Sequence, residues 1–177
     1  MPIRLARPED ASAIAEIHVA SWRAVYPGIV PQAILDGLSV ERRTSFWTRV
    51  LAERGERRTW VASRGNRLIG FAGTEPADEE GLDGRPAELR TVYLVPDAIG
   101  TGVGRRLFSR AIDDLVERRY SPLIVWVFTA NSRARRFYEA AGWQPDGAAK
   151  MIDFGGTEVE EIRYRMDPPA AAPAEPD

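Results

Sequence analysis

Cysteine is absent from the 177 residues, and histidine occurs once, at His18. Without cysteine there are no disulfides, thiolate nucleophiles, iron–sulfur clusters or thiolate-bound zinc. A single histidine excludes multi-histidine metal sites. It also leaves a Ser–His–Asp triad only His18 to draw on, and no Gly-x-Ser-x-Gly elbow accompanies it. Neither sign of charge is in excess: 24 basic against 26 acidic residues give a formal net charge of −2. Domains that grip phosphate backbones are normally basic, so no nucleic-acid partner is expected. No apolar run is long enough to cross a bilayer, and the opening MPIRLARPED has no basic-then-apolar signal pattern. A cytoplasmic protein without a membrane partner is the expectation. Acid–base chemistry therefore falls to carboxylates, tyrosines, lysine or backbone dipoles.

What is present reads as one α/β domain over residues 1–167, followed by a Pro/Ala-rich tail, 168–177, expected to be disordered because it cannot bury a core. Ile3 and Leu5 alternate in a short strand, and Pro8–Glu9–Asp10 opens a helix. Ile14, Ile17, His18, Ser21, Trp22 and Val25 share one face of it. Pro27, Gly28 and Pro31 punctuate the chain before a second helix, capped by Ser39, that turns Phe46, Trp47, Val50 and Leu51 inward. Trp60–Ala62 and Leu68–Phe71 flank Arg64–Gly65–Asn66 as a hairpin. Pro76 to Pro86 is acidic and rich in Gly and Pro, and reads as a mobile loop. Glu88 to Val95 forms a strand, the turn Gly100–Gly104 leads into a helix, and the apolar run Leu123–Phe128 suits a strand buried on both faces. That order is a parallel βαβ unit with a right-handed crossover. Asn131 or Ser132 caps a further helix that Gly142 ends, and two strands joined by Gly155–Gly156 close the domain.

The segment from Glu88 to Leu115 carries chemistry. Three glycines at alternate positions (Gly100, Gly102, Gly104) let several backbone amides converge, and the helix start adds unpaired N–H groups and a positive dipole end. A diphosphate fits such a cradle, with Arg105 adding charge. A nucleotide P-loop would continue with Gly-Lys-Ser/Thr, whereas Gly104 is followed by Arg105 and Arg106. The Rossmann spacing is also missing. On the glycines alone, an anion site and a tightly packed helix start explain the sequence equally well.

Asn131-Ser132-Arg133-Ala134-Arg135-Arg136-Phe137-Tyr138-Glu139-Ala140-Ala141-Gly142-Trp143 resembles the second signature of the GNAT acetyltransferase superfamily. Val92-Tyr93-Leu94-Val95-Pro96 with Gly102-Val103-Gly104 resembles the first, and Asp146-Gly147 through Glu161-Ile162-Arg163-Tyr164 resembles its last two strands. The resemblance covers nearly the whole chain in order. It implies an acyl-coenzyme A N-acyltransferase fold: a mixed, mostly antiparallel sheet with one parallel pair, flanked by helices. It implies acetyl-coenzyme A as co-substrate and transfer of its acetyl group to an amine, by direct attack within a ternary complex. The amides from Gly100 through Thr101, Gly102, Val103 and Gly104 to Arg105 are expected on the pyrophosphate, and the main chain of Val92, Tyr93 and Leu94 on the pantetheine arm. Asn131 matches the cofactor-contacting Asn, and Tyr138 the Tyr near the sulfur. Ile99 departs from the Gln or Arg expected at the loop's start. Homodimerisation is a further family-level expectation.

Two catalytic assignments follow. Glu88, at the start of the strand beside the thioester, is the candidate base that deprotonates the acceptor amine, and Tyr138 is the candidate acid for the departing thiolate. Bland readings stand beside these: a core tyrosine, an ordinary strand-start carboxylate. His18 reads as a partly buried, satisfied histidine, and Trp22 and Tyr26 as packing residues near the acceptor pocket. Asp78, Glu79, Glu80 and Asp83 read as a solvated face, and Arg133, Arg135 and Arg136 as exposed helix charges. A non-catalytic acyl-coenzyme A sensor is the competing function, using the glycine loop but neither Glu88 nor Tyr138. The acceptor, small molecule or protein, is not legible.

Overall fold

The computed structural model describes residues 1–53 and 55–168, so the tail expected to be disordered lies, from residue 169 onward, outside the described residues. The described residues form a sheet of seven strands: β1 (Ile3–Leu5), β2 (Arg58–Arg64), β3 (Arg67–Pro76), β4 (Ala87–Leu94), β5 (Leu123–Phe128), β6 (Gln144–Asp153) and β7 (Glu158–Met166). Their spatial order is β1-β2-β3-β4-β5-β7-β6. Every neighbouring pair is antiparallel except β4 and β5, so the expected single parallel pair is present. Five α-helices accompany it: α1 (Ala11–Val25), α2 (Gln32–Asp36), α3 (Val40–Ala52), α4 (Val103–Glu117) and α5 (Ser132–Glu139). The short α2 was not expected; the Pro31 that reads as a breaker stands at its N-cap, where a missing amide costs nothing.

Alternation along β3 sorts the helices. Phe71 meets His18 of α1 and Trp47 of α3 on one face. Its neighbour Gly70 faces Leu107 of α4 on the other, and a Cβ there would lie 2.3 Å from Leu94 Cδ2 and 3.0 Å from Leu107 Cδ1. Only a glycine lets α4 lie this close to the strand. On the α4 face, Phe108 packs against Phe137, Tyr138 and Trp143, which fastens α5 to the same layer. The hairpin turns at Gly65 (φ +59°), and Ser39 caps α3 by accepting from Arg42 N at 3.2 Å.

The loop between β3 and β4 is not the uniformly solvated segment its composition suggests. Glu79 accepts from Trp126 Nε1 at 2.8 Å and from Arg163 Nη1 at 3.1 Å, and Arg163 is itself buried. This pins the loop across β5 and β7, while Asp78, Glu80 and Asp83 remain exposed. Phe46 likewise differs from expectation: it is exposed on α3, at the rim of the cleft described next.

Candidate active site

β4 and β5 match at two positions only, Ala87 with Leu123 and Glu88 with Ile124. Beyond them β4 continues along β3 as far as Leu94, and β5 along β7 as far as Phe128. The β3–β4 register shifts between Gly73 and Thr74, and such a bulge bends the strand that carries it. The two parallel strands therefore part, leaving main-chain groups of β4 without a sheet partner on that side. Val95 N donates to Ile69 O at 3.0 Å, so by the two-residue period the main chain of Tyr93 also faces β3. Val92 and Leu94 are the residues whose amides and carbonyls face the gap. Tyr93 contributes its side chain, not its main chain, which is a correction to the expectation for that residue.

At the wide end of the gap stands the glycine turn. Gly100 and Gly102 have φ of +84° and +85°, a region that residues with a Cβ rarely occupy. Gly102 is the N-cap of α4, and its carbonyl takes the first helical bond from Arg106 N at 3.2 Å. The amides of Gly102, Val103, Gly104 and Arg105 are thus the four that a helix leaves unpaired, at the positive end of its dipole. Nothing lies within 4 Å of where a Cβ on Gly102 would stand, so the turn opens outward. The Thr101 hydroxyl instead donates to Ala98 O at 2.7 Å, and the Val103 side chain is buried in the core. Those two side chains hold the turn in shape. Ile99, Gly100, Gly102, Gly104 and Arg105 line the cleft.

The cleft has a volume of about 990 Å³ and reaches from this turn, between β4 and β5, to a chamber beneath α1 and α3. Asn131 lines it and caps α5, its Oδ1 accepting from Ala134 N at 3.1 Å. That cap aims α5 so that Tyr138, two turns on, is buried against Phe108 and Trp143 with access to the cleft. Burial pushes the Tyr138 phenol well above its usual range, so it stays protonated and able to donate. Of the neighbouring arginines, Arg133 is exposed and lines the cleft, and Arg136 is exposed. Arg135 is half-buried and donates from Nε to Tyr164 Oη at 3.2 Å, so it is not a free surface charge.

Glu88 is 7% exposed and lies where the parallel strands begin to part. Burial raises its carboxyl above the usual carboxylate range, opposed by Arg90, whose Nη1 donates to Oε2 at 3.2 Å. Arg90 also pairs with Glu75 at 3.3 Å, and Glu75 with Arg57 at 2.6 Å. A second carboxylate reaches the cleft from β7: Glu161, also raised by burial, with Lys150 Nζ at 3.7 Å. The sequence alone does not single out Glu161. The alternation of β7 marks it as facing opposite to Ile162 and Tyr164, but nothing local tells which face borders a cleft.

His18 lines the chamber and is only half satisfied, unlike the sequence reading. Its Nδ1 accepts from Trp47 Nε1 at 3.2 Å, while Nε2 is buried without a partner. Burial, with the Arg43 guanidinium nearby, lowers its pKa to about 3. Trp22 and Tyr26 also line the chamber rather than only packing, and Tyr26 stacks edge-on against Phe128 of β5. Among the described residues, no helix is long and apolar enough to cross a membrane.

Comparison with known proteins agrees with this geometry. Residues 13–143 match the model of the acetyltransferase (GNAT) family. An uncharacterised N-acetyltransferase of Bacillus subtilis, YuaI, is 30% identical over 164 residues, covering 90% of this chain and 89% of that protein. The fold matches the ribosomal-protein-alanine N-acetyltransferase of Brucella melitensis with a TM-score of 0.73 at 23% identity, over 94% of this chain and 99% of the other. It also matches the PaiA N-acetyltransferase of Thermoplasma acidophilum, solved in complex with coenzyme A, with a TM-score of 0.67 at 21% identity, over 94% and 100% of the two chains. With the family model matched over most of its length and a relative at 30% identity, the chain belongs to the acetyltransferase (GNAT) family.

Proposed function

We propose that this chain transfers the acetyl group of acetyl-coenzyme A to an amine, both substrates being bound together in the cleft. The observation that carries this reading is the alignment of three things along β4: the anion-binding turn at its end, unpaired main chain at Val92 and Leu94, and a buried carboxylate at Glu88. Leu94 lies six positions beyond Glu88, roughly 20 Å at the rise of a strand. A long extended ligand anchored at the turn by its diphosphate spans such a distance, its amides replacing the missing strand. The amides of Gly102, Val103, Gly104 and Arg105, with the Arg105 side chain, hold the diphosphate. Gly100 and Thr101 shape the approach, and Asn131 borders it from α5. Ile99 offers no polar group, so the cradle relies on backbone.

Acetyl-coenzyme A supplies an activated acyl group. The chain supplies the proton traffic and charge stabilisation. Glu88 accepts the proton of the acceptor amine, directly or through a water, its raised pKa bringing it nearer the working pH. A β4 amide at Val92 or Leu94 donates to the oxygen on which negative charge develops. Tyr138, held protonated by burial, delivers a proton to the departing thiolate. No covalent intermediate on the chain is needed, and its sequence offers no cysteine to form one.

The non-catalytic alternative keeps the turn but has no use for a buried carboxylate at the apex of the strands. Isothermal titration with acetyl-coenzyme A, followed by an amine-panel assay of coenzyme release, tests the reading. Binding without turnover of any amine would favour the sensor. A homodimer, if formed, has the exposed outer strand β6 available for it.

A further inference from the structure

Lys150 is the one lysine in the sequence, and the other basic residues among the 24 are all arginine. It lies on β6 and lines the cleft. Its row across the sheet runs to Glu161 of β7 and on to Phe128 of β5, the strand that walls one side of the gap. Glu88 pairs with Ile124, which alternates with Trp126 and Phe128 on the same face, so Lys150 and Glu88 share that face. From β6 to β5 is two strand spacings, roughly 10 Å. The lysine bridges it: Nζ lies 3.9 Å from the centre of the Trp126 ring of β5 and 3.7 Å from the Glu161 carboxylate. At that length the ion pair is not a hydrogen bond, so soft contacts hold an ammonium on a flexible hydrocarbon stem. The neighbouring cations are more firmly held. Arg163 pairs with Glu79 and Asp146, and Arg90 pairs with Glu75 and Glu88 and acts on Glu161 only from farther off. Lys150 also stands close enough to Glu88 to oppose the rise of its carboxyl. The other cations lining the cleft are arginines, whose guanidinium keeps its proton, so Lys150 alone among them can become a neutral amine.

We infer that Lys150 is a self-acetylation site: its Nζ swings from the Trp126 face into the gap and attacks the acetyl carbon of acetyl-coenzyme A bound to the same chain, with Glu161 as the base. The inference rests on the acetyl-transfer reading. The N–C amide bond forms and the C–S bond breaks, and the ammonium sheds two protons. One passes through Glu161 to solvent, and the other makes good the proton that Tyr138 gives to the departing thiolate. The product is a stable N-acetyl-lysine and not an intermediate. It removes the cation that faces Glu161 and leaves an acetamide on the acceptor side of the cleft.

The test incubates the full-length chain with acetyl-coenzyme A and no added amine, counting acetyl groups by intact mass and locating them by peptide mapping. Lys150 should be acetylated at least about a hundredfold faster in the folded chain than in the guanidinium-unfolded chain, because the cleft holds amine and thioester together. The rate constant should not change with chain concentration, as befits a reaction within one chain. Glu161→Gln should slow the modification by about a hundredfold, and Lys150→Arg should abolish it. Both variants should retain the rise in melting temperature caused by acetyl-coenzyme A, which shows that they fold and bind. An unmodified Lys150 in a chain that acetyl-coenzyme A stabilises, equal rates in folded and unfolded chains, a rate constant that rises with chain concentration, or an undiminished rate in Glu161→Gln would each overturn the inference. Failure of acetyl-coenzyme A to stabilise the wild-type chain is a separate result, and strikes the acetyl-transfer reading instead.

Discussion

Glu88 and Ile124 are the last residues at which β4 and β5 stay in register, and beyond them the two strands part. The carboxylate therefore sits at the apex of the cleft, buried by the paired end of the strands and open to their separated end. Its neighbours Arg90 and Glu75 form a chain of ion pairs that holds it there.

The apex position makes Glu88→Gln informative at several pH values. As general base it should contribute about a hundred- to ten-thousand-fold to turnover near neutrality. The defect should shrink as pH rises and more acceptor amine arrives already neutral. A defect of constant size across pH would leave Glu88 a positioning role only. Stability gives an independent reading. The folded-state pKa is raised, so the folded chain holds this proton more tightly than the unfolded chain, and stability falls as pH rises through that window. Relative to wild type, Glu88→Gln should melt higher at pH 7 than at pH 4.

Tyr138→Phe removes a hydroxyl and keeps the ring that packs on Phe108 and Trp143. Turnover should drop by about a hundred- to ten-thousand-fold with acetyl-coenzyme A affinity nearly unchanged. The melting temperature should move little. Wild-type turnover when chemistry limits the rate would take Tyr138 out of the mechanism.

Gly104→Val should blunt the cradle. A Cβ at Gly104 would already stand 3.3 Å from Leu94 Cδ1, and the added methyls crowd both β4 and the approach of a diphosphate. Acetyl-coenzyme A should raise the melting temperature of the variant less than that of wild type, since stabilisation by a ligand scales with its affinity for the folded state. Equal stabilisation would move the diphosphate elsewhere.

His18 should cost stability in mild acid. Its folded-state pKa is lowered to about 3, so between about pH 6.5 and that value the unfolded chain takes up a proton that the folded chain refuses. Stability is lost as pH falls through this window, by up to about 3 kcal/mol at pH 4.5. In His18→Gln, whose side-chain carbonyl can still accept from Trp47, the fall in melting temperature from pH 7 to pH 4.5 should be shallower. Parallel curves for the two proteins would mean that His18 charges readily in the fold.

Most of the fold, and the glycine turn and the α5 cap that border the candidate site, are legible in the sequence, because they depend on local rules. Glycines that must adopt positive φ, an Asn three residues before the amide it caps, and apolar runs of strand length each act within a few residues of chain. Gly102, Asn131 and the β4–α4–β5 unit could be read this way, as could the exclusion of thiol and multi-histidine chemistry from two absences. The bulge in the β3–β4 pairing, the parting of β4 from β5 and the consequent turning of Tyr93's main chain away from the gap are relations between strands, and no single strand encodes them. The same holds for charge and burial: Glu79 reads as solvated until Trp126 and Arg163 arrive from distant strands, and Glu161 is anonymous until β7 borders the cleft. His18 makes the contrast plainest. Its helical spacing placed it on an inward face, but only the packing of α3 against α1 brings Trp47 to one nitrogen, withholds a partner from the other and so determines which of them carries the proton.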